Sequence, residues 1–317
     1  MIIKDKLNAI VHLEENYPMS KLTTWQIGGP AKYFCRVASV DQLRNVLSLV
    51  READLKFFIL GGGSNVLFSD DGFDGIVLKL DFKQFDFEST MATVSADIIL
   101  NTLVAKAASL GLAGLTGLTS IPGTVGGAIV GNAGAYGDEI GKLVKKVVYL
   151  DQDQVKEMTK SQCHFLYRDS IFKKSNFILL SAELEFTKST VDDELSQAAK
   201  YKATRLEKIP TEPSAGCVFK NVILTDEIVD RVRAKGYDLP TPFVEFKKIP
   251  TAWLIDQLDL KGLEIGGAKV SEQHANFLLN TGNAKAVDII ELLSLIKQKV
   301  RTEFNIQLVE EIRYIDK

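Results

Sequence analysis

Apolar positions along this chain alternate between two periods. Leu43, Val46, Leu47 and Val50 recur at helical spacing behind Ser39, a good N-cap residue, and predict a helix over residues 40–53. Asn283 is placed to cap a second helix, on which Val287, Ile290, Leu293, Ile296 and Val300 keep the same spacing. A third is expected over 98–110, closed by Gly111 as its C′ residue. Strands are expected at 57–60 (short and buried), 75–80, 92–96, 144–150, 177–186 and 306–315, with a strand-turn-strand over 24–37 around Gly28-Gly29-Pro30. Residues 188–208 are polar, helical in part, and suited to bridging domains. The opening β-α-β unit reads as a small α/β domain and the whole as α+β in two or three domains.

Two glycine segments interrupt this pattern. Leu60-Gly-Gly-Gly-Ser-Asn-Val-Leu67 follows the apolar run Phe57-Phe-Ile-Leu60. Ser120-Ile-Pro-Gly-Thr-Val-Gly-Gly-Ala-Ile-Val-Gly-Asn-Ala-Gly-Ala-Tyr-Gly137 reads as a long loop that supplies little core. Such runs offer backbone N–H groups, φ > 0 turns and close approach of main chain to ligand. The plainer reading is a pair of tight turns. Two cradles of this density favour a long ligand with a charged middle, such as a dinucleotide. Neither Gly-x-Gly-x-x-Gly in an opening βαβ unit nor the P-loop pattern is present, which argues against the nicotinamide fold and the P-loop.

The chain has 317 residues, 46% hydrophobic and 25% charged, with net charge −3. That balance leaves no electrostatic footprint for nucleic acid or an anionic membrane. No apolar run is long enough for a membrane span, and the start, Met1-Ile-Ile-Lys-Asp-Lys-Leu-Asn, does not read as a signal peptide. Cys35, Cys163 and Cys217 are odd in number and widely spaced, which fits a reducing cytoplasm and no metal centre.

Four groups of residues carry candidate chemistry. Arg168, in Tyr167-Arg-Asp-Ser170, is suited to a bidentate carboxylate clamp; a surface pair with Asp169 is the plain alternative. Cys217 follows Ala215-Gly216, which clear space for proton or nucleophile chemistry; a buried structural cysteine is the alternative. Of Glu310 and Glu311, on the expected last strand, one should face inward and need a partner or a function. His274 alone reads as structural or functional.

Taken in order, Thr24-Trp-Gln-Ile-Gly-Gly-Pro-Ala31, the two glycine segments, Tyr167-Arg-Asp-Ser-Ile-Phe172, Ala215-Gly-Cys-Val-Phe-Lys-Asn221, Ala252-Trp-Leu-Ile-Asp256 and Gly266-Gly267 resemble the UDP-N-acetylenolpyruvoylglucosamine reductase family over nearly the whole chain. The resemblance implies a two-domain FAD-binding module of the p-cresol methylhydroxylase/vanillyl-alcohol-oxidase type, over 1–80 and 81–200, and a C-terminal α+β substrate domain over 201–305, with a final strand, 306–317, that returns to the first domain. It implies non-covalent FAD, with NADPH and UDP-N-acetylglucosamine enolpyruvate as substrates, and UDP-N-acetylmuramate as product for peptidoglycan synthesis. It also implies a cytoplasmic monomer that binds neither nucleic acid nor membrane.

Carried over by motif, the cofactor contacts are Gly61, Gly62, Gly63, Ser64, Asn65, Ser120, Ile121, Pro122, Gly123, Gly126, Gly127, Asn132 and Ala133. Tyr136, Tyr167, Lys208 (toward the diphosphate), Asn221 and His274 match substrate contacts. Arg168 and Glu311 match the groups that stabilise enolate-like charge on the enolpyruvyl carboxylate, the glutamate either protonated or acting through a hydrogen bond. Cys217 stands where the family commonly has a serine proton donor; a thiol, with a pKa of about 8.5, is the stronger acid.

Two further departures are visible. Residues 186–208 are too short for the tyrosine-bearing lid loop of one subtype, yet that subtype's insert, 222–251, is retained. Ser95-Ala-Asp-Ile98 is also less glycine-rich than is usual before the following helix. Two rivals stay open: another FAD-linked oxidoreductase of the same architecture, and a non-catalytic nucleotide-binding module. Bound flavin would remove the second. Release of flavin by acid would argue against the covalent histidine linkage common in the first, and neither glycine segment contains a histidine.

Overall fold

The computed structural model describes residues 3–316. The first two residues of the chain start and the last residue of the expected closing strand lie outside that range. By contact the chain divides into two compact units, each with its own core. The first takes the chain up to Tyr17, Ala31–Gly63 and Asp74–Glu207; the second takes Pro18–Pro30, Ser64–Phe73 and the chain from Lys208 on.

The first unit is built on two sheets. One runs in the order Leu13–Pro18, Pro30–Val37, Phe73–Leu80, Lys56–Ile59. The last two are parallel, with Lys56 opposite Gly75 and Ile59 opposite Leu78. Helix Val40–Glu52 forms as its periodicity predicts: the Ser39 side chain accepts from the Gln42 N–H, and Leu43, Val46, Leu47 and Val50 are buried. Strand Lys56–Ile59 differs from expectation. It lies at the sheet edge and is not buried, Phe57 being 38% exposed.

The other sheet is antiparallel, in the order Gln154–Thr159, Val144–Asp151, Ile178–Glu185, Met91–Ser95, Phe85–Glu88. Helix Leu100–Ser109 stops before Gly111, whose φ of +65° is the left-handed turn that a C′ glycine supplies.

The second glycine segment is not a loop throughout. Val125–Gly131 is a helix, capped by the Thr124 hydroxyl, which accepts from the Gly127 N–H at 3.2 Å. Val125 and Ile129, one turn apart, are fully buried in the core with Leu103, Val144 and Leu184. Glycine is needed there because a Cβ on Gly126 would come within 2.8 Å of the Ala96 Cβ. Residues 191–208, expected to be helical in part, form one continuous helix, Val191–Lys208. Thr190 starts it: its hydroxyl donates to the Asp193 carboxylate at 2.7 Å and accepts the Asp193 N–H at 3.1 Å.

The second unit centres on an antiparallel sheet ordered Ser214–Cys217, Phe277–Asn280, Ala268–Val270, Glu264–Ile265. Helix Ala286–Phe304 supplies much of its core, but through Ala286, Ile289, Leu292, Leu293, Ile296, Val300 and Phe304. Val287 and Ile290, expected on that face, are 46% and 41% exposed. The helix also begins beyond Asn283, with Lys285 as N-cap, and the Asp70 carboxylate accepts the N–H groups of Ala286 and Val287 at 2.8 and 3.1 Å.

The expected strand over 24–37 forms only as Pro30–Val37. Before it, buried Trp25 anchors a turn: its indole N–H donates to the Leu278 carbonyl at 2.7 Å, and its own carbonyl accepts from the Asn280 amide at 2.9 Å. The closing strand shrinks to Arg313–Ile315, parallel to Val66–Phe68. The 222–251 insert folds as helices Asp226–Ala234 and Thr241–Glu245 above a short ladder, Val222–Ile223 against Lys248–Ile249.

Candidate functional site

In the first unit the two glycine segments meet backbone to backbone. A Cβ on Gly62 would lie 2.5 Å from the Gly123 Cα, and one on Gly61 would lie 2.9 Å from the Thr124 hydroxyl oxygen. Gly63 and Gly123 have φ of +67° and +122°, which favour glycine, and Ser120 takes +64°. The cradle is held from behind. The Ser120 N–H donates to the Asn101 side chain at 2.9 Å, Ile121 N–H to Leu118 at 3.0 Å, Val125 N–H to Ile98 at 2.8 Å and Gly126 N–H to Ala96 at 2.8 Å. These donors, expected to face a ligand, are spent on the chain. What remains is a shelf without side chains at Gly62 and Gly123, beside Pro122, which is what close approach of an extended dinucleotide requires.

Beyond the helix, Asn132 and Ala133 turn the chain into hairpin Gly134–Ala135/Asp138–Glu139. Asn132, almost fully buried, ties the structure together rather than opening to a ligand. Its amide donates to the Leu166 carbonyl at 2.9 Å and its oxygen accepts the Gly141 N–H at 3.1 Å. That bond fixes the Tyr167–Ser170 turn, where Arg168 takes a positive φ of 55°. The Arg168 guanidinium donates to the Gly134 carbonyl at 2.6 Å and lies 5.3 Å from the Tyr167 ring centre. Asp169 engages Lys174 at 2.6 Å and the Ser170 N–H at 3.0 Å. Arg168, Tyr167, Asn132 and Tyr136 therefore converge on one hairpin.

Tyr136, 48% exposed and also at positive φ, stacks on Tyr201 with ring centres 4.2 Å apart, and the Arg205 guanidinium lies 5.3 Å from its ring centre. Sequence reasoning misses Tyr201 and Arg205. Their only signal is the i,i+4 spacing that sets them on one face of a helix.

In the second unit Cys217 ends strand Ser214–Cys217, opposite Phe277, after a bulge in which Gly216 has φ +76° and open space beside its Cα. It is half-buried, unlike buried Cys35 and Cys163, whose thiols burial pushes up to about 12 and about 11. The segment after it is locked by Asn276, a buried residue that sequence reasoning also misses. The Asn276 amide oxygen accepts the Phe219 N–H at 3.0 Å, its NH₂ donates to the Phe219 carbonyl at 2.8 Å, and its own carbonyl accepts the Val218 N–H at 2.9 Å.

Glu311 joins this segment directly. Its N–H donates to the Val218 carbonyl at 2.8 Å, and its carbonyl accepts the Asn65 side-chain amide at 3.1 Å. Asn65 thus braces the main chain at Glu311, one residue from an isolated bridge between Phe219 and Glu310. The inward/outward argument for Glu310 and Glu311 does not apply, because both precede the strand and both are half-buried. Glu310 forms an ion pair with Lys297 at 2.9 Å.

His274 lies beside Asn276: its Nδ1 accepts the Asn276 N–H at 3.3 Å, and desolvation, with Lys261 nearby, holds its pKa below the ordinary value. Asn221 closes the neck of the insert by accepting the Thr251 N–H at 3.2 Å. Lys208 is exposed at the end of its helix, and Ser64, directly after Gly63, begins the second of the three segments that make up the second unit.

Known proteins resemble the chain in both of its halves. Residues 31–153 match a family described as an FAD binding domain, and residues 207–315 match the C-terminal domain of UDP-N-acetylenolpyruvoylglucosamine reductase. The reductase of Solibacter usitatus is 35% identical over 300 residues, covering 94% of this chain and 95% of its own. That of Clostridioides difficile is 35% identical over 302 residues, covering 94% and 91%. The crystal structure of the Thermus caldophilus reductase superposes with a TM-score of 0.75 at 28% identity, covering 96% of this chain and 98% of that one. Among the described residues no helix is long and apolar enough to cross a membrane.

Proposed function

The chain belongs to the UDP-N-acetylenolpyruvoylglucosamine reductase family, and from that premise we propose how its residues divide the work. It is an α+β flavoprotein oxidoreductase that spends NADPH to reduce UDP-N-acetylglucosamine enolpyruvate to UDP-N-acetylmuramate, a step of peptidoglycan precursor synthesis. The observation that carries the cofactor assignment is the backbone-to-backbone contact of Gly62 with Gly123, which joins the two glycine segments into one surface and leaves no room for a side chain at Gly62. Gly61–Gly63, Ser64, Asn65, Ser120–Gly123, Gly126, Gly127, Asn132 and Ala133 form and brace the FAD cradle over 1–80 and 81–200, and 201–305 receives the substrate. When bound there, FAD would supply the redox chemistry that links NADPH oxidation to hydride addition at C3 of the enolpyruvyl ether.

The chain's own residues handle charge and proton. Arg168, anchored on the Gly134 carbonyl, brings its guanidinium to the enolpyruvyl carboxylate. Negative charge develops on that carboxylate as C3 gains hydride, so a fixed cation stabilises the transition state more than the ground state. Glu311 adds a hydrogen bond to the same charge. Cys217 gives its Sγ proton to C2, which completes the addition of hydrogen across the double bond and leaves a thiolate that solvent reprotonates. Tyr136, Tyr167, Lys208, Asn221 and His274 bind and orient the UDP-sugar. We place the enzyme in the cytoplasm as a monomer, which light scattering on the purified protein tests.

The deciding experiment is a visible spectrum of the purified protein. A flavin band that bleaches with NADPH and returns on adding UDP-N-acetylglucosamine enolpyruvate, with UDP-N-acetylmuramate formed, supports the reading. A colourless protein that takes up no FAD, or a flavin that NADPH bleaches and the enolpyruvyl substrate does not restore, refutes it.

A further inference from the structure

Helix Val191–Lys208 is attached to the first unit in an unusual way. Of its eighteen residues only Glu194 is fully buried. Leu195 and Leu206 are exposed, so no apolar stripe seats it. Polar and aromatic contacts hold it instead, four of them through Glu194, Tyr201 and Arg205. Near its start the Thr116 hydroxyl donates to the Glu194 carboxylate. Eleven residues on, the Arg205 guanidinium donates to the Gly117 carbonyl at 3.5 Å. Between these, Tyr201 lies flat on Tyr136, the planes 16° apart, and Arg205 also faces the Tyr136 ring.

Both tethers end on the same small structure. The Gly117 N–H donates to the Asp138 carboxylate at 2.8 Å, and Asp138 belongs to the hairpin whose Gly134 carbonyl accepts from Arg168. Tyr136 forms the turn of that hairpin, at φ +52°, with Gly137 at +90° beside it. A non-glycine residue keeps such a φ only where its surroundings restrain it. The aromatic stack and the cation supply part of that restraint, beside the Lys142 ammonium, which donates to the Gly137 carbonyl at 2.7 Å.

We propose that Tyr201 and Arg205 are positioning residues of the reaction: they clamp the ring of Tyr136, and through Gly117 and Asp138 they fix the hairpin on which Arg168 rests. The inference rests on the proposed function, in which Tyr136 meets the UDP-sugar and Arg168 the enolpyruvyl carboxylate. Tyr201 acts through its ring face and not its hydroxyl. Arg205 acts twice, through its charge over the Tyr136 ring and through its bond to Gly117.

The test uses FAD-loaded holoenzyme in four forms besides wild type: Tyr201→Ala, Tyr201→Phe, Arg205→Ala and, as a control on the same helix, Leu206→Ala. Three quantities are read: binding of the enolpyruvyl UDP-sugar to the oxidised enzyme by perturbation of the flavin spectrum, the KM and kcat for that substrate, and the rate of flavin reduction by NADPH. Tyr201→Ala and Arg205→Ala should weaken substrate binding and raise KM by about tenfold each, the scale of a lost aromatic pair or cation–π contact. NADPH reduction should stay close to wild type in both. Tyr201→Phe and Leu206→Ala should match wild type throughout.

Unchanged binding and KM in Tyr201→Ala overturn the inference. So does a Tyr201→Ala protein that loses flavin content and both half-reactions together, which would mark a structural role alone. A Tyr201→Phe variant as impaired as Tyr201→Ala overturns the ring-face assignment. If wild type itself neither binds the enolpyruvyl UDP-sugar nor is reoxidised by it, the proposed function fails first, and this inference with it.

Discussion

Gly62 and Gly123 stand so close that a Cβ on the first would lie 2.5 Å from the Cα of the second. No side-chain rotation relieves a clash between backbone atoms, so one chain segment must shift. Gly62→Ala and Gly62→Val should cost about 1–3 kcal/mol of stability, as overpacked sites do, and should release FAD. Gly123→Val should do the same, since its φ of +122° is strained for any other residue. Gly131→Ala is the matched control, because a Cβ there meets nothing within 4 Å. Absorbance ratios after gel filtration, with and without added FAD, decide. A Gly62→Val protein with full flavin content would contradict the cradle.

Arg168 and Glu311 should act in one half of the reaction. Arg168→Ala and Glu311→Ala should each slow reoxidation of the reduced enzyme by the enolpyruvyl substrate by about 3 kcal/mol of transition-state stabilisation, the scale of a lost oxyanion donor. Reduction by NADPH should change far less. Arg168→Lys should rescue poorly, since an ammonium cannot donate to the Gly134 carbonyl and hold a carboxylate in the same fork geometry. Stopped-flow traces in which the reductive half fails instead would reassign both residues.

Much of this was legible in the sequence where local chemistry decides. Ser39 and the spacing of Leu43, Val46, Leu47 and Val50 are enough for helix Val40–Glu52, because cap and stripe lie within one element. The misses are tertiary. Helix Val125–Gly131 is hidden by its glycines, which are there for the Ala96 contact. Helix Ala286–Phe304 has apolar residues around more than one face, so the sequence offers two ridges and packing selects the one through Ile289. Asn276 and Tyr201 carry no motif: each matters through a partner at least 57 residues away, Phe219 or Tyr136. The glycine segments allow close approach of one backbone to the other, at Gly62 and Gly123. Their donors are largely spent on the chain, which no one-dimensional pattern reveals.

His274 should make stability depend on pH. Its folded pKa lies below the ordinary 6.5 because burial disfavours the cation, with Lys261 adding to the effect. A depressed pKa means that the unfolded chain takes up the proton first, so stability is full above the unfolded value and is lost as pH falls through and below it. Chemical denaturation of wild type and His274→Gln between pH 8 and 5 should show parallel stabilities at the upper end. Toward the lower end wild type should lose stability relative to the variant, by at most about 1.4 kcal/mol per pH unit. Identical pH slopes in the two proteins would remove His274 as the cause.

Cys217 offers the sharpest discrimination, because the other two thiols are silent. Cys35 and Cys163 are buried, with pKa values pushed up to about 12 and about 11, so at neutral pH almost none of either is thiolate. Cys217 is half-buried beside a glycine bulge, so an alkylating reagent should attach one equivalent, at this residue. Inactivation should track that modification, slow in the presence of the enolpyruvyl substrate, and be absent in Cys217→Ser. Cys217→Ala should still accept hydride on the substrate, with turnover reduced by roughly 10² to 10⁴, the range for a lost general acid. Cys217→Ser should keep substantial activity, since a hydroxyl donates from the same backbone position. If the thiol only fills space at the strand end, Cys217→Ala will turn over nearly as fast as wild type, and the proton must then come from another group.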